Sequence, residues 1–305
     1  MLGFLLRRLG LAVAVGIAVS IIAFMLLRLA GDVAIALAGD GASARDIEAI
    51  RERYGLDRPL LVQYAEWLAL AVRGDLGTSI YFNQPVVQVI GERIGTTMTL
   101  GVLALAFAIL LAVPLGIAAG TRPNSWIDRL GLGLAVLGQA MPSFWFALLL
   151  MLVFGVYWRL LPVSGSDTLL HFVMPAIALG YYATPAIMRL TRAGMIEVLA
   201  SDYIRTAYAK GLLPHTVLLK HALRNAIIPV VALAAVQFGF MLGGSIVIET
   251  IFSLHGVGHL AWISIVRSDF PVVQGIVLTL SLIYIVLVFL ADILNAWLDP
   301  RIRIA

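Results

Sequence analysis

Apolar residues run through this chain in long blocks, and the polar positions gather between them. Leu9 to Leu29, Thr97 to Ala119, Leu130 to Tyr157, Phe172 to Leu190, Ile227 to Ile248 and Val272 to Trp297 are each nearly continuous in apolar side chains. A bilayer core about 30 Å thick is crossed by about 20 such residues in a helix, so the pattern predicts an all-α polytopic membrane protein with six transmembrane helices. Pro175 and Pro185 interrupt the fourth block. Prolines are tolerated in membrane helices when neighbouring groups satisfy the freed carbonyls, and the block is kept as a span. The first block exceeds the roughly 7–15 apolar residues of a cleavable signal core. Ala34–Ile35–Ala36 imitates a cleavage site, but the pattern predicts an uncleaved first span.

The chain then divides into an N-terminus and first span (1–30), an inserted segment with short helices (31–96), and a five-span core (97–305) with a polar loop at 194–226. Within the insertion, Ser43 and Asp46 fit a cap for a helix reaching Arg53 and closed by Gly55. Asp57 and Pro59 open a second helix, Leu60 to Val72, and Gly74–Asp75–Leu76–Gly77 closes it with a turn. That helix is too short to cross a bilayer. With Tyr64 and Trp67 it fits an interfacial helix and a helix packed on the span ends equally well.

Charge sets the orientation. Arg7, Arg8, Arg122, Arg129, Arg189, Arg192, Arg205, Lys210, Lys220, Arg224, Arg301 and Arg303 fall on one side of six spans, whereas the short opposite loops carry Arg159 and Arg267. Cytoplasmic loops hold the excess of Lys and Arg, so both termini are predicted cytoplasmic and 31–96 external. The same rule accounts for the net charge of +4 without nucleic acid. Hydrophobic residues are 61% of the chain and charged ones 12%, about half the charged share of a soluble domain. Zero cysteines exclude disulfides and thiolate metal sites.

No catalytic constellation emerges. Ser245 follows Gly243–Gly244 with His255 and His259 nearby, as in an intramembrane serine hydrolase, yet a nucleophile needs its base within hydrogen-bond reach. Ser245 is predicted a turn or more deeper than those loop histidines, where small residues serve helix packing. His255 and His259, with Glu249 and Asp269, are candidates for a metal cluster at the outer mouth; Gly256 and Gly258 favour a turn, and no metal site is predicted. Asp292 is expected to pair with an arginine. The central spans offer Gln139, Ser143, Gln237 and Ser245, with Gly244, as uncharged pore or gate candidates. Pro142, beside Ser143 and Phe144, marks either a bend near the pore or a packing kink. Without a mid-membrane charge, a pore moved by partners is favoured over a proton-coupled carrier.

The most informative stretch is Ser201 to Pro229. Ser201 or Asp202 fits a cap for a helix reaching Lys210, Gly211 suits the left-handed position that ends it, and Pro214 opens a second helix. Ile204, Ala207 and Tyr208 share one face, and Arg205 and Lys210 are expected in water. An ordinary basic loop fits the composition; the ordered caps point to a rigid lever.

This stretch resembles the cytoplasmic EAA loop of ABC-importer permeases, especially the dipeptide/oligopeptide/nickel family. Thr206, Ala207 and Gly211 fall in its frame. Arg205 replaces the usual Glu and Arg224 the usual downstream Pro, as in the peptide-permease variety; Tyr208 stands where Arg is expected. The similarity continues, in order, through DRPLLVQY (Asp57 to Tyr64), MPSFW (Met141 to Trp145), GGSIVIETIF (Gly243 to Phe252), GVG (Gly256 to Gly258) and DPRIR (Asp299 to Arg303). It implies the type I ABC-importer permease fold in a bacterial inner membrane. Tyr203, Ile204, Arg205, Thr206, Ala207, Tyr208, Lys210, Gly211 and Leu212 would form the coupling helix that docks on an ATPase. The implied partners are a homologous permease, two ABC ATPases, an extracytoplasmic binding protein and membrane lipid. The chain has no GxxxxGK[ST] phosphate loop, so ATP and Mg belong to those ATPases and no cofactor is expected here. The implied cargo is di- or oligopeptides, with nickel chelates or glutathione as relatives.

Overall fold

The computed structural model describes residues 2–29, 33–38, 41–53 and 55–298. Among these, regular structure is helical apart from one isolated bridge between Thr78 and Pro85. The closing DPRIR motif, with Arg301 and Arg303, lies outside the described residues.

Helix α1 (Leu2–Leu29) is followed by α2 (Val33–Ala38), α3 (Ala44–Arg53) and α4 (Leu60–Val72). The predicted cap of α3 is present: Ser43 Oγ donates to Asp46 Oδ2 at 2.7 Å, and Asp46 N donates back to Ser43 Oγ at 3.3 Å. Gly55 follows with φ +62°, and Gly74 and Gly77 turn the chain beyond α4 with φ +85° and +84°. Of the two expected placements, packing on a span is the one seen for α4. One face packs on α1, where Tyr64 Oη meets Ser20 Oγ at 2.7 Å and Phe24 stacks edge-on against the Tyr64 ring. The other face leaves Leu61 83% and Val72 80% exposed.

The core begins with α5 (Val86–Thr121), which starts well before Thr97 and contains Pro114 without a break. Helices α6 (Trp126–Ala140) and α7 (Ser143–Leu150, continued by π-helical turns over Met151–Tyr157) occupy the third predicted span. They are not one helix: the pair bends by 100°. Pro142 has no N–H, and its ring forces Met141 into an extended conformation (φ −88°, ψ 129°), so the helix stops there. The fourth span is likewise a bent pair, α8 (Leu170–Gly180) and α9 (Thr184–Leu199), meeting at 61°. Pro175 sits inside α8, whereas Pro185 at the start of α9 marks the break.

Helix α10 (Asp202–Ala209) precedes a run of α11 (Pro214–Thr216), π-helical turns (Val217–Ala222) and α12 (Leu223–Ala226). This leads into α13 (Ile228–Ile251), α14 (Val257–Val266) and α15 (Phe270–Leu298). Helices α1, α5, α13 and α15 are long and apolar enough to cross a membrane, which with each bent pair as one span gives six.

Helix α5 is the hub, packed on α8, α9, α13 and α15. Leu100, Ala104, Ala108 and Ala112 repeat every fourth position and are fully buried, so small side chains line one face. Backbones therefore approach closely, as membrane helix packing requires when lipid is as apolar as the core. At Gly180 on α8, a Cβ would collide with the Ala104 carbonyl oxygen, so only glycine fits this crossing. Helix α1 stands apart, packed chiefly on α15 and α4. The expected arginine pairing of Asp292 is present, with Arg8 Nη1 at 2.9 Å.

Candidate functional site

At the end of the bundle rich in arginine, α10 hangs below α9 as a two-turn helix. Isolated helices this short are unstable in water, so packing must hold it. Ile204 and Ala207, 1% and 7% exposed, seat against Met195 of α9 and against Val217, Ala222 and Ala226. Asn225 Nδ2 donates to Tyr203 Oη at 2.7 Å and ties α10 to α12. Gly211 ends the element with φ +77°. A Cβ at that position would meet no atom within 4 Å, so backbone conformation alone calls for glycine. Two expectations are corrected. Ser201 occupies the N-cap position, but its hydroxyl donates to Val198 O at 2.5 Å and makes no cap. Tyr208 is not on the inner face; it is 47% exposed, because Ile204 and Ala207 alone fill that seat. The outward face thus presents Tyr203, Arg205, Thr206, Tyr208 and Lys210, with Leu212 beyond.

The bends in the two broken spans face each other. Tyr181 Oη donates to Met141 O at 2.5 Å, satisfying a carbonyl released at the Pro142 break, and its ring lies 4.5 Å from that of Phe146. Between these bends and α13 opens a cavity of about 700 Å³. Its wall includes Gln139, Pro142, Ser143, Gln237 and Gly244 together with Tyr182, Ala183, Ala186 and Phe240. Arg189 Nη1 donates to Gln139 Oε1 at 3.1 Å. Among the described residues, no side chain in the wall is ionisable near neutral pH. Phe144 and Ser245 are placed elsewhere. Phe144 is 50% exposed and outside that wall, because the break turns it away. Ser245 is buried, its hydroxyl donating to Leu242 O at 2.9 Å.

At the opposite end, Glu249 is fully buried and accepts from Thr97 Oγ1 at 2.8 Å and His259 N at 2.9 Å, while Val257 N donates to Thr97 Oγ1 at 2.8 Å. The turn expected over Gly256 to Gly258 is not present: Gly256 is the N-cap and Val257, Gly258 and His259 open α14, whose first turn folds back onto α13 and α5. Gly258 lies against the Ser245 hydroxyl, so Ser245 is nearer this helix start than expected, yet its bond goes to a helix carbonyl and not to an imidazole. The His255 and His259 rings are 5.9 Å apart, and burial, the neighbouring His255 and Arg93 lower the His259 pKa from 6.5. Asp269 is separate: it accepts from Ser79 Oγ and from Ile80 N and Tyr81 N, locking the inserted segment onto the start of α15. Among the described residues no three His, Cys, Asp or Glu side chains gather as a metal-binding group.

Sequence pattern alone does not single out Tyr181, Tyr182 or the Asp128–Arg192 pair. Arg192 engages both Asp128 oxygens at 2.5 and 2.7 Å, joining α6 to α9 just above α10. Pro185 holds the signal for the tyrosines, since a proline clashes with the carbonyl four residues earlier, at Tyr181.

Residues 112–304 match the family model of the binding-protein-dependent transport system inner membrane component, and residues 1–101 match that of the N-terminal part of such membrane components. The glutathione transport system permease protein GsiC of Pectobacterium atrosepticum is 42% identical over 300 residues, covering 98% of both chains. GsiC of Salmonella typhimurium is 40% identical over 304 residues and 99% of both chains. Among solved structures, the MetNI methionine ABC transporter in an inward-facing conformation aligns with a TM-score of 0.57 at 17% identity, over 70% of this chain and 97% of that one. An amino acid ABC transporter aligns at 0.50 and 16% identity, over 70% and 94%. Both likenesses concern the fold.

Proposed function

The chain belongs to the family of binding-protein-dependent transport system inner membrane components, as an ABC-importer permease of the dipeptide/oligopeptide/nickel type, and on that premise we propose that it forms half of a gated pathway for short peptides of the glutathione class. Membership implies ATPase and substrate-binding partners. In our reading a homologous permease closes the open side of the cavity. Two ATPases sit at the arginine-rich end, which is cytoplasmic together with both termini, and the binding protein docks at the end bearing residues 31–96. ATP and Mg act on the ATPases, and this chain contributes no catalytic group.

The observation that carries the coupling role is the seating of α10. Ile204 and Ala207 pack into one buried cluster with Val217 and Ala222 of the π-helical turns and with Met195 near the end of α9, and the start of α9 lies beside the cavity at Ala183 and Ala186. Helix α9 has 16 residues, about 24 Å at 1.5 Å per residue, and serves as a rod between the two. A partner that moves α10 moves this rod, and the bend at 181–183 takes up the motion beside Tyr182. The cargo reading is supported by the relatives that transport glutathione, itself a tripeptide, and so narrows the broader peptide expectation. A wall whose described residues carry no ionised group holds a charged peptide loosely, which suits passage and leaves selection to the binding protein.

The test is uptake of labelled glutathione into proteoliposomes holding the assembled importer and its binding protein. Uptake that needs ATP and survives a proton uncoupler is expected. Failure to take up glutathione while another short peptide enters would overturn the cargo; collapse with the uncoupler would overturn the mechanism.

A further inference from the structure

Beyond the pathway, one polar group is buried without a use. Gln274, on the second turn of α15, is 8% exposed, and its amide Nε2 has no hydrogen-bond partner. An unpaired amide inside a membrane protein is costly, because hydrocarbon offers it nothing to replace water. Ser264 and Asn295 also carry unpaired buried atoms, but it is Gln274 that lines a cavity of about 220 Å³, in the seam between α1 and α15 beside Ile265 of α14. The rest of its described wall is apolar, including Ala23, Leu26, Phe270, Val273 and Val277. Water does not suit this space, since a buried water makes about three hydrogen bonds and the described wall offers a single amide. The chemistry that fits is an apolar chain bearing one uncharged acceptor.

Depth identifies the source. Gln274 is four residues from Phe270, the first residue of α15, so it lies about 6 Å along the helix axis. The polar zone beyond the hydrocarbon core is about 5–8 Å thick on each side, and the glycerol esters of a phospholipid lie at its inner edge. The seam is reached from the flank where α1 exposes Val13, Ile17, Ile22 and Leu26. We propose that this seam is a phospholipid site of the leaflet facing residues 31–96. An acyl chain fills the slot, and Gln274 Nε2 donates to the lipid's ester carbonyl. The bound lipid completes the contact between α1 and the core at this level, where α1, α14 and α15 leave a void.

The assembled importer, reconstituted in vesicles with a phosphatidylcholine carrying a diazirine beside its acyl ester, tests the site by photolabelling and peptide mass spectrometry. Adducts are expected on Ala23, Leu26, Val273 and Val277 above the level at Ile22, which is 57% exposed and at the depth of Ala23 on α1. Gln274→Leu should lower seam labelling about fivefold, the effect of one net hydrogen bond, and leave Ile22 unchanged. Ala23→Phe, which fills the slot, should lower it as well. Seam labelling equal to that of Ile22, no adducts because the second permease covers the seam, or equal labelling in Gln274→Leu would each overturn the proposal. Glutathione uptake is a separate readout, so failure here leaves the transport reading standing.

Discussion

Truncating Ile204 to alanine tests whether α10 is a rigid lever. Ile204 is 1% exposed and packed among Met195, Val217 and Ala222. Removing its outer carbons loses their burial and leaves a void, at a cost of about 2–5 kcal/mol for a buried Ile. The lower part of that range applies, because α10 lies at the bundle's edge and relaxes into the gap. About 2–3 kcal/mol raises the open population of α10 roughly 30- to 150-fold. The bundle itself rests on other contacts, so insertion and assembly should persist. Hydrogen exchange on the assembled importer reads the effect directly. Amides such as Leu212 N, bonded to Ala207 O at 3.3 Å, should lose protection by about that factor while α5 and α13 hold theirs. Stimulation of the ATPase by loaded binding protein should fall in parallel. Unchanged exchange would refute the packing argument, and lost protection with full stimulation would refute the lever.

Gly211→Val, which forces a β-branched residue to φ +77°, should cost about 1–2 kcal/mol and weaken coupling. Gly211→Asn should retain most of it, as ATPase stimulation will show. Asp128→Asn leaves Arg192 without its bidentate partner and should destabilise the permease by about 3 kcal/mol. The Asp128→Asn, Arg192→Gln double variant should recover part of that in thermal unfolding. Burial above all, then His255 and Arg93, depress the His259 pKa below 6.5, so the unfolded chain binds the proton first. Stability should be flat above about pH 6.5 and fall as pH drops below it, and His259→Gln should flatten the profile.

Much of this is legible from the residues. Block length predicts the four unbroken helices, and α3 and α4 start where Ser43 and Pro59 indicate, because turn chemistry is local; α10 begins after Ser201 although that hydroxyl bonds Val198 O and caps nothing. What escapes is geometry set by tertiary contact. Pro142 announces a kink, but neither its 100° size nor the Tyr181 hydroxyl that reaches the Met141 carbonyl from another helix. Gln139, Pro142, Ser143, Gln237 and Gly244 stand out by polarity or small size, and they meet on one cavity. Phe144 stands out as a neighbour of Pro142 and Ser143 and Ser245 by its hydroxyl, but one residue of helix rotation turns each away from the cavity. The two faces of α10 are misread at Tyr208 for a similar reason, since eight residues give too few turns for periodicity to identify the buried side.

Because the chain has no cysteine, the central claim is open to clean single-cysteine crosslinking. Cysteines placed in turn at Arg205, Thr206, Ile204 and Ala207 would be paired with cysteines in the ATPase surface of the assembled importer. The account predicts disulfides from Arg205→Cys and Thr206→Cys that vary with nucleotide, and little from the buried Ile204→Cys and Ala207→Cys. Equal crosslinking from all four positions, or none from the exposed pair in any nucleotide state, would contradict it.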